Sequence, residues 1–272
     1  MKQLLIYEWK KILTSRLNQI LFIVSLLATS GMMLSAALSY TFPEEGDDLK
    51  GMAAIQAEKE EITKISGAMD QQQIEQTVAQ YQALYEVPGN SFNNEGQISL
   101  VDSVFLREVY PKYHYLLLIN STYAGPYASD YELNMLKKIT QPLPDFYEAR
   151  AANVEQILSN TYSNMQFSKS EQDYWLHKNE QVQTPIEYGY TQGWTKLLNQ
   201  IEFFVFVLLV IIIAIAPVFA NEYQTGAHQI ILSTKFGKTK LILAKLFTAF
   251  VFGLVVLTVH FVMMLIIVAF TF

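Results

Sequence analysis

The chain has 272 residues, of which 51% are apolar and only 16% are charged. Because soluble domains usually have about 25% charged residues, this composition disfavours an ordinary soluble protein. The absence of cysteine excludes a fold held by disulfides, and nothing in the sequence predicts a nucleic-acid partner.

Residues 1–16 predict a short amphipathic helix. Its apolar residues recur at helical spacing: Leu5, Ile6, Trp9, Ile12 and Leu13. Lys10 and Lys11 lie elsewhere on the helical wheel. A helix with a tryptophan and basic residues is suited to the cytoplasmic membrane interface. The alternative is a plain cytosolic extension of the first membrane span.

Three apolar runs predict membrane-spanning helices. Residues 17–38, 203–220 and 246–272 contain no Asp, Glu, Lys or Arg, and about 20 apolar residues in a helix cross a bilayer. The first run also resembles the apolar core of a signal peptide, but such cores usually have about 7–15 residues. We therefore expect the first run to be retained as a transmembrane helix.

Lysine and arginine predict the orientation of these helices. Basic residues predominate in the N-terminal segment and in residues 221–245, whereas acidic residues outnumber basic ones about two to one in residues 41–202. Positive charge beside short loops marks the cytoplasmic side. We therefore expect a multi-pass protein of the plasma membrane, with a cytoplasmic N-terminus, a cytoplasmic hairpin at 221–245 and an extracellular domain at 41–202.

Residues 41–202 predict a mainly α-helical extracellular domain, inserted between transmembrane helices 1 and 2. Together with the three membrane-spanning helices, this predicts an all-α membrane protein. Helix-favouring residues at 49–86 are interrupted near Gly67, and further helices are expected over Phe146 to Met165 and Lys169 to Lys178. A cluster of tyrosine and tryptophan at 174–194 is a candidate ligand surface. Core packing or contact with lipid headgroups is the alternative for these aromatic residues.

No motif in the chain predicts catalysis or a cofactor. The tripeptide at Gly237 to Thr239 resembles the end of a phosphate loop, but Leu232 occupies the position where that loop needs a glycine. The tripeptide therefore predicts a turn.

The four histidines are scattered and predict no metal site. His260 lies within an apolar run, where a neutral ring hydrogen-bonded to a neighbouring helix is the favoured interpretation.

The segment between the second and third runs predicts a short helix with an exposed apolar ridge. We expect Pro217 to end the second span, Asn221 to cap the following helix and Glu222 to lie in its first turn. Gly226 is expected to bend the chain. The ridge consists of Ile230, Ile231 and Leu232, and such a ridge in the cytoplasm suits a surface covered by a partner.

The residues from Phe219 to Lys245, with the pattern E-Y-x-x-G-x-x-x-x-I-L-S-T-K-x-G-K-x-K-L-x-L-A-K, resemble the permease subunit of type 2 ABC exporters of Gram-positive bacteria. In that family the corresponding loop carries a coupling helix that docks on a separate ATPase subunit. The resemblance implies that the ATPase is bound by Glu222, Tyr223, Gly226, Ile230, Ile231 and Leu232.

Members of this family usually have six spans, so the resemblance implies that the chain is the N-terminal half of a permease. It is either a fragment or a subunit that acts with a second permease half or a second copy. The expected function is ATP-driven export of an amphipathic peptide, drug or lipid-like substrate, with ATP hydrolysis in the partner. The alternative is a non-transporting receptor with an extracellular ligand-binding domain and a cytoplasmic docking hairpin.

Overall fold

The computed structural model describes residues 1–94, 97–159, 166–234, 237 and 239–272, and the protein is 72% helical. In chain order the α-helices are α1 (Lys2–Leu13), α2 (Arg16–Leu38), α3 (Met52–Lys64), α4 (Gln71–Glu86), α5 (Asp102–Val104), α6 (Tyr113–Ala124), α7 (Asn134–Lys138), α8 (Phe146–Leu158), α9 (Lys169–Glu180), α10 (Gln192–Asn199), α11 (Phe204–Gln224), α12 (Ala227–Ser233) and α13 (Lys240–Thr271). A π-helix (Phe105–Val109) and two 3-10 helices (Tyr110–Lys112 and Ile201–Phe203) accompany them. The strands are β1 (Thr41–Phe42), β2 (Leu49–Lys50), β3 (Gly67–Ala68), β4 (Ser91–Asn94), β5 (Gln97–Leu100) and β6 (Glu187–Tyr188).

The contacts divide the chain into two units. The first, here called the apolar-helix unit, contains Met1–Tyr40, Lys50–Ile55 and Thr191–Phe272. The second, here called the inserted unit, contains Thr41–Leu49 and Gln56–Tyr190.

Among the residues that the structure describes, three helices of the apolar-helix unit are long and apolar enough to cross a membrane. They are α2, α11 and α13, with mean hydropathies of 2.0, 2.8 and 2.8 over their most apolar stretches. Only 22%, 28% and 22% of the residues in those stretches are buried inside the chain. Most of their surface is therefore apolar and uncovered, which is unfavourable in water and compatible with a multi-pass membrane protein.

The inner faces of these helices share an apolar core with α1. Ile12 of α1 packs with Val207 and Ile211 of α11 and with Phe252 of α13. The ring of Trp9 meets the ring of Phe252 edge to face, with centroids 6.4 Å apart. Helix α1 thus contributes to the same core as two of the candidate spans.

The end of α11 differs from the sequence prediction. Pro217 lies inside α11, which continues to Gln224, so the prediction that Pro217 ends this helix is wrong. Proline lacks one backbone donor, but the remaining hydrogen bonds and the packing of a long apolar helix tolerate that loss. Asn221 is also within α11, where its carbonyl accepts from the N–H of Thr225 at 3.0 Å, and so it does not cap the next helix.

The inserted unit combines helices with very short strands. Buried side chains of α4, α6, α7 and α8 form its core: Ile74, Val78, Tyr81, Tyr115, Leu116, Ile119, Leu136 and Phe146. Gly67 lies between α3 and α4, in strand β3, which pairs antiparallel with β6. The helix expected over 146–165 ends at Leu158, and the remainder of that prediction, 160–165, lies outside the described residues.

Candidate docking helix and ion cluster

A change of direction at Gly226 separates α12 from α11. Gly226 has φ of +70°, a left-handed conformation that glycine adopts without the steric cost of a Cβ. The N–H of Gly226 donates to the carbonyl of Tyr223 at 3.2 Å. The predicted bend at this glycine is confirmed, and it places a seven-residue helix, α12, directly after the end of α11.

Helix α12 presents apolar side chains to its surroundings. Ile230 is 73% exposed and Leu232 is 40% exposed. Ile231 is more buried than either and is half-buried. Tyr223, at the end of α11, is 66% exposed, and its ring stacks on that of His228 with centroids 4.7 Å apart. The uncovered part of the ridge is therefore centred on Ile230 and Leu232.

Glu222 occupies a different environment from the other predicted docking residues. It lies in the last turn of α11, so the prediction that it occupies the first turn of the following helix is wrong. The C-terminal end of a helix disfavours a carboxylate. Two lysines compensate, since the Glu222 carboxylate pairs with Lys245 and accepts from the Nζ of Lys11 at 3.3 Å.

Lys245 is almost completely buried, with a side chain that is 2% exposed. A buried ammonium group is tolerated only when it is paired and hydrogen-bonded. Besides Glu222, the Nζ of Lys245 donates to the carbonyl of Val218 at 3.1 Å and lies 5.4 Å from the ring centroid of Phe219. Lys245 therefore connects α13 to three residues near the end of α11.

Glu8 completes the group of charges. It lies on α1, is 1% exposed, and its Oε2 makes no hydrogen bond within the described part of the chain. Burial raises the pKa of the Glu8 carboxyl, while Lys11 and Lys245 lower it in part. Glu8, Lys11, Glu222 and Lys245, here called the ion cluster, thus link α1, α11 and α13.

Two further polar contacts connect the helices of this unit. The Nδ2 of Asn18 donates to the carbonyl of Ile12 at 3.0 Å and to that of Ala214 at 3.3 Å. The side chain of Asn18 is therefore a contact between α1, α2 and α11. Its burial was not predicted, because a single asparagine next to a long apolar run gives no signal of its partners.

His260 is fully buried in α13 and contacts α2. Its Nε2 lies 3.0 Å from the Oγ of Ser25, and its Nδ1 lies 2.8 Å from the carbonyl oxygen of Val256. Since a carbonyl only accepts, Nδ1 carries a proton. The Ser25 hydroxyl also donates to the carbonyl of Phe22 at 2.9 Å. The predicted hydrogen bond from His260 to a neighbouring helix is confirmed.

Gly237 and Thr239 are turn residues, as predicted, while Lys238 lies outside the described residues. A Cβ on Gly237 would collide with the carbonyl of Ile231, so a close backbone approach accounts for this glycine. Within the ranges that the structure describes, no group of His, Asp and Glu is placed to hold a metal ion.

Comparison of the chain with models of protein families, with curated proteins and with solved structures finds no match. Helix α12 and the ion cluster are therefore the features from which a function is inferred. Of the four cluster residues, only Glu222 was predicted to have a functional role. For the other three, the sequence offers one indication. Glu8 is the sole acid of the N-terminal segment, and an acid among basic residues has oppositely charged groups within reach.

Proposed function

We propose that the chain is the membrane permease subunit of an ATP-driven exporter of the type 2 ABC family, with α12 as the helix that docks on a separate ATPase subunit. In this proposal α12 and the N-terminus are cytoplasmic, and the inserted unit is outside the plasma membrane. The lysine asymmetry of the sequence and the three apolar helices support this arrangement, as does the resemblance of residues 219–245 to that family.

One observation carries the proposal: an exposed apolar helix follows closely after an ion pair whose lysine is buried. Ile230 is largely exposed, which suits a surface that a cytoplasmic protein covers. Glu222, four residues before Gly226, is tied to α1 through Lys11 and to α13 through Lys245. A partner that displaces α12 would thereby act on three helices of the apolar-helix unit together.

This connection suggests how the chain would work. ATP hydrolysis in the partner moves α12, the ion cluster transmits that movement, and the spans alternate between inward-open and outward-open states. The exported molecule is an amphipathic peptide, drug or lipid-like compound, and this chain itself forms and breaks no covalent bond. A second permease half or a second copy of the chain completes the pathway.

The proposal is tested with any ABC ATPase that the neighbouring open reading frames encode. Ile230→Ala combined with Leu232→Ala removes the exposed ridge, and loss of a central docking residue typically weakens binding by about 30-fold. Gln229→Ala is the matched control, because Gln229 is also exposed on α12 but is polar. We expect the double variant to reach the membrane and to lose ATPase binding in a pull-down, while the control retains it.

Equal binding by the double variant, the control and the wild type would refute α12 as the docking helix. The receptor alternative makes a different prediction for the same pull-down. There the protein retained by α12 would be a signalling partner such as a histidine kinase, and ATPase activity would not respond to the chain. Recovery of such a partner, with no ATPase, would replace the exporter proposal by the receptor one.

A further inference from the structure

The inserted unit contains a cavity in which half of the lining residues are aromatic, here called the tyrosine pocket. Its volume is 440 Å³, within the range of about 300–1,000 Å³ that is typical of small-molecule sites. The aromatic lining residues are Tyr81, Tyr85, Phe105, Tyr110, Tyr113 and Tyr131. Two pairs of these rings meet edge to face, Tyr81 with Tyr85 and Phe105 with Tyr113, with centroids 5.5 Å and 6.3 Å apart.

The charges at the tyrosine pocket favour a cation. Two carboxylates line it, from Asp102 and Glu132, against one ammonium group, from Lys137. The Nζ of Lys137 lies 5.6 Å from the ring centroid of Tyr85, so one aromatic face of the pocket already carries a cation. Phenols are neutral at pH 7, so the two carboxylates are the negative charges of the pocket.

The two carboxylates differ in what they already bind. Glu132 accepts hydrogen bonds from Gln97 and from Asn134. Asp102 lies at the start of α5 and is exposed, and across the described ranges its side chain takes part in none of the hydrogen bonds or ion pairs. Asp102 is therefore the carboxylate that remains available to a ligand at this pocket.

The wall of the pocket is held in an unusual backbone conformation. Leu133 has φ of +58°, which is costly for a residue with a branched side chain, and its side chain is nevertheless buried. Asp130 supports this turn, since its carboxylate accepts from the N–H of Met135 at 2.8 Å and from the side chain of Asn134 at 3.0 Å. Strained conformations that the surroundings enforce are often part of binding sites.

We propose that the tyrosine pocket binds an organic cation, such as a quaternary ammonium or guanidinium group attached to an apolar body. The aromatic faces would attract the positive charge, Asp102 would pair with it, and the apolar body would displace water from the remaining rings. This inference concerns the inserted unit alone and does not depend on the exporter proposal.

The test uses the full chain in lipid nanodiscs and measures binding of benzyltrimethylammonium by calorimetry. Benzenesulfonate, an anion of similar size, is the matched ligand control. We expect saturable binding of the cation that is about tenfold or more tighter than that of the anion, because cation–π contacts and a carboxylate act together.

Four variants locate the site. Asp102→Asn and Tyr131→Leu are expected to weaken binding of the cation by about tenfold each, and both positions are exposed, so the fold is retained. Tyr131→Phe keeps the ring, and Asp173→Asn removes a carboxylate on α9 away from the pocket, so both should bind as the wild type does.

Equal affinity for cation and anion, absence of saturable binding, or no effect of Asp102→Asn would overturn the proposal. None of these results bears on docking of an ATPase by α12.

Discussion

Lys245 of α13 and Glu222 of α11 form an ion pair whose lysine is almost completely buried. The same carboxylate pairs with Lys11 of α1. Three helices that are distant in the sequence are therefore joined through one side chain, next to the bend that begins α12. If α12 is the docking helix, Glu222 is the residue through which its displacement reaches α1 and α13.

The ion pair predicts that substitutions of Lys245 and Glu222 have strongly non-additive effects on the stability of the chain. Removing one partner of a buried pair typically costs about 3–5 kcal/mol, because the other charge is left uncompensated. Lys245→Met and Glu222→Gln should each destabilise the chain in thermal unfolding followed in detergent. The double variant should lose less stability than the sum of the two single losses. Additive losses would show that Lys245 and Glu222 do not interact energetically.

Glu8 predicts a dependence of stability on pH. Burial raises its pKa above the ordinary value of 4.5, so the folded state binds this proton more tightly than the unfolded state does. The destabilisation from ionised Glu8 is absent below pH 4.5, grows as the pH rises through the raised pKa, and is complete above it.

Glu8→Gln removes this ionisation while it keeps the size of the side chain. The variant should therefore unfold at a higher temperature than the wild type at neutral pH, and the difference should shrink as the pH falls towards 4.5. Thermal unfolding over a pH series measures this difference. A difference that stays constant across the series would contradict the assignment of a buried, protonatable Glu8.

The predicted orientation is tested by cysteine labelling, which is simple here because the chain has no cysteine of its own. Ser170→Cys places a thiol on α9 and Ser233→Cys places one at the end of α12, and both positions are exposed. In intact cells an impermeant maleimide should label Ser170→Cys and not Ser233→Cys, and lysed cells should label both. Labelling of Ser233→Cys in intact cells would reverse the proposed orientation.

The long helices could be predicted from the sequence because their signal is local. Uncharged runs such as residues 17–38 contain enough apolar residues to specify a helix regardless of their neighbours. The ends of α11 were less predictable. Proline is a strong local signal for a helix end, yet at Pro217 the tertiary contacts and the length of the helix outweigh the loss of one hydrogen bond.

The ion cluster could be predicted only in part, since its members are far apart in the sequence. Lys11 and Glu222 are separated by 211 positions, and no periodic pattern relates two residues at that distance. The tyrosine pocket has the same limitation. The tyrosine-rich stretch is evident in the sequence, but the sequence does not specify that Asp102 and Tyr131 line one cavity with Tyr81.

The most direct test of the central claim is photo-crosslinking from α12 in living cells. A benzophenone amino acid at Ile230, which is 73% exposed, should crosslink to an ATPase subunit that mass spectrometry identifies. The control is the same amino acid at Ile212, which is also exposed but lies within a candidate span and should crosslink to no ATPase. If position 230 yields no crosslinked ATPase while the chain is present in the membrane with its ATPase expressed, α12 is not the docking helix.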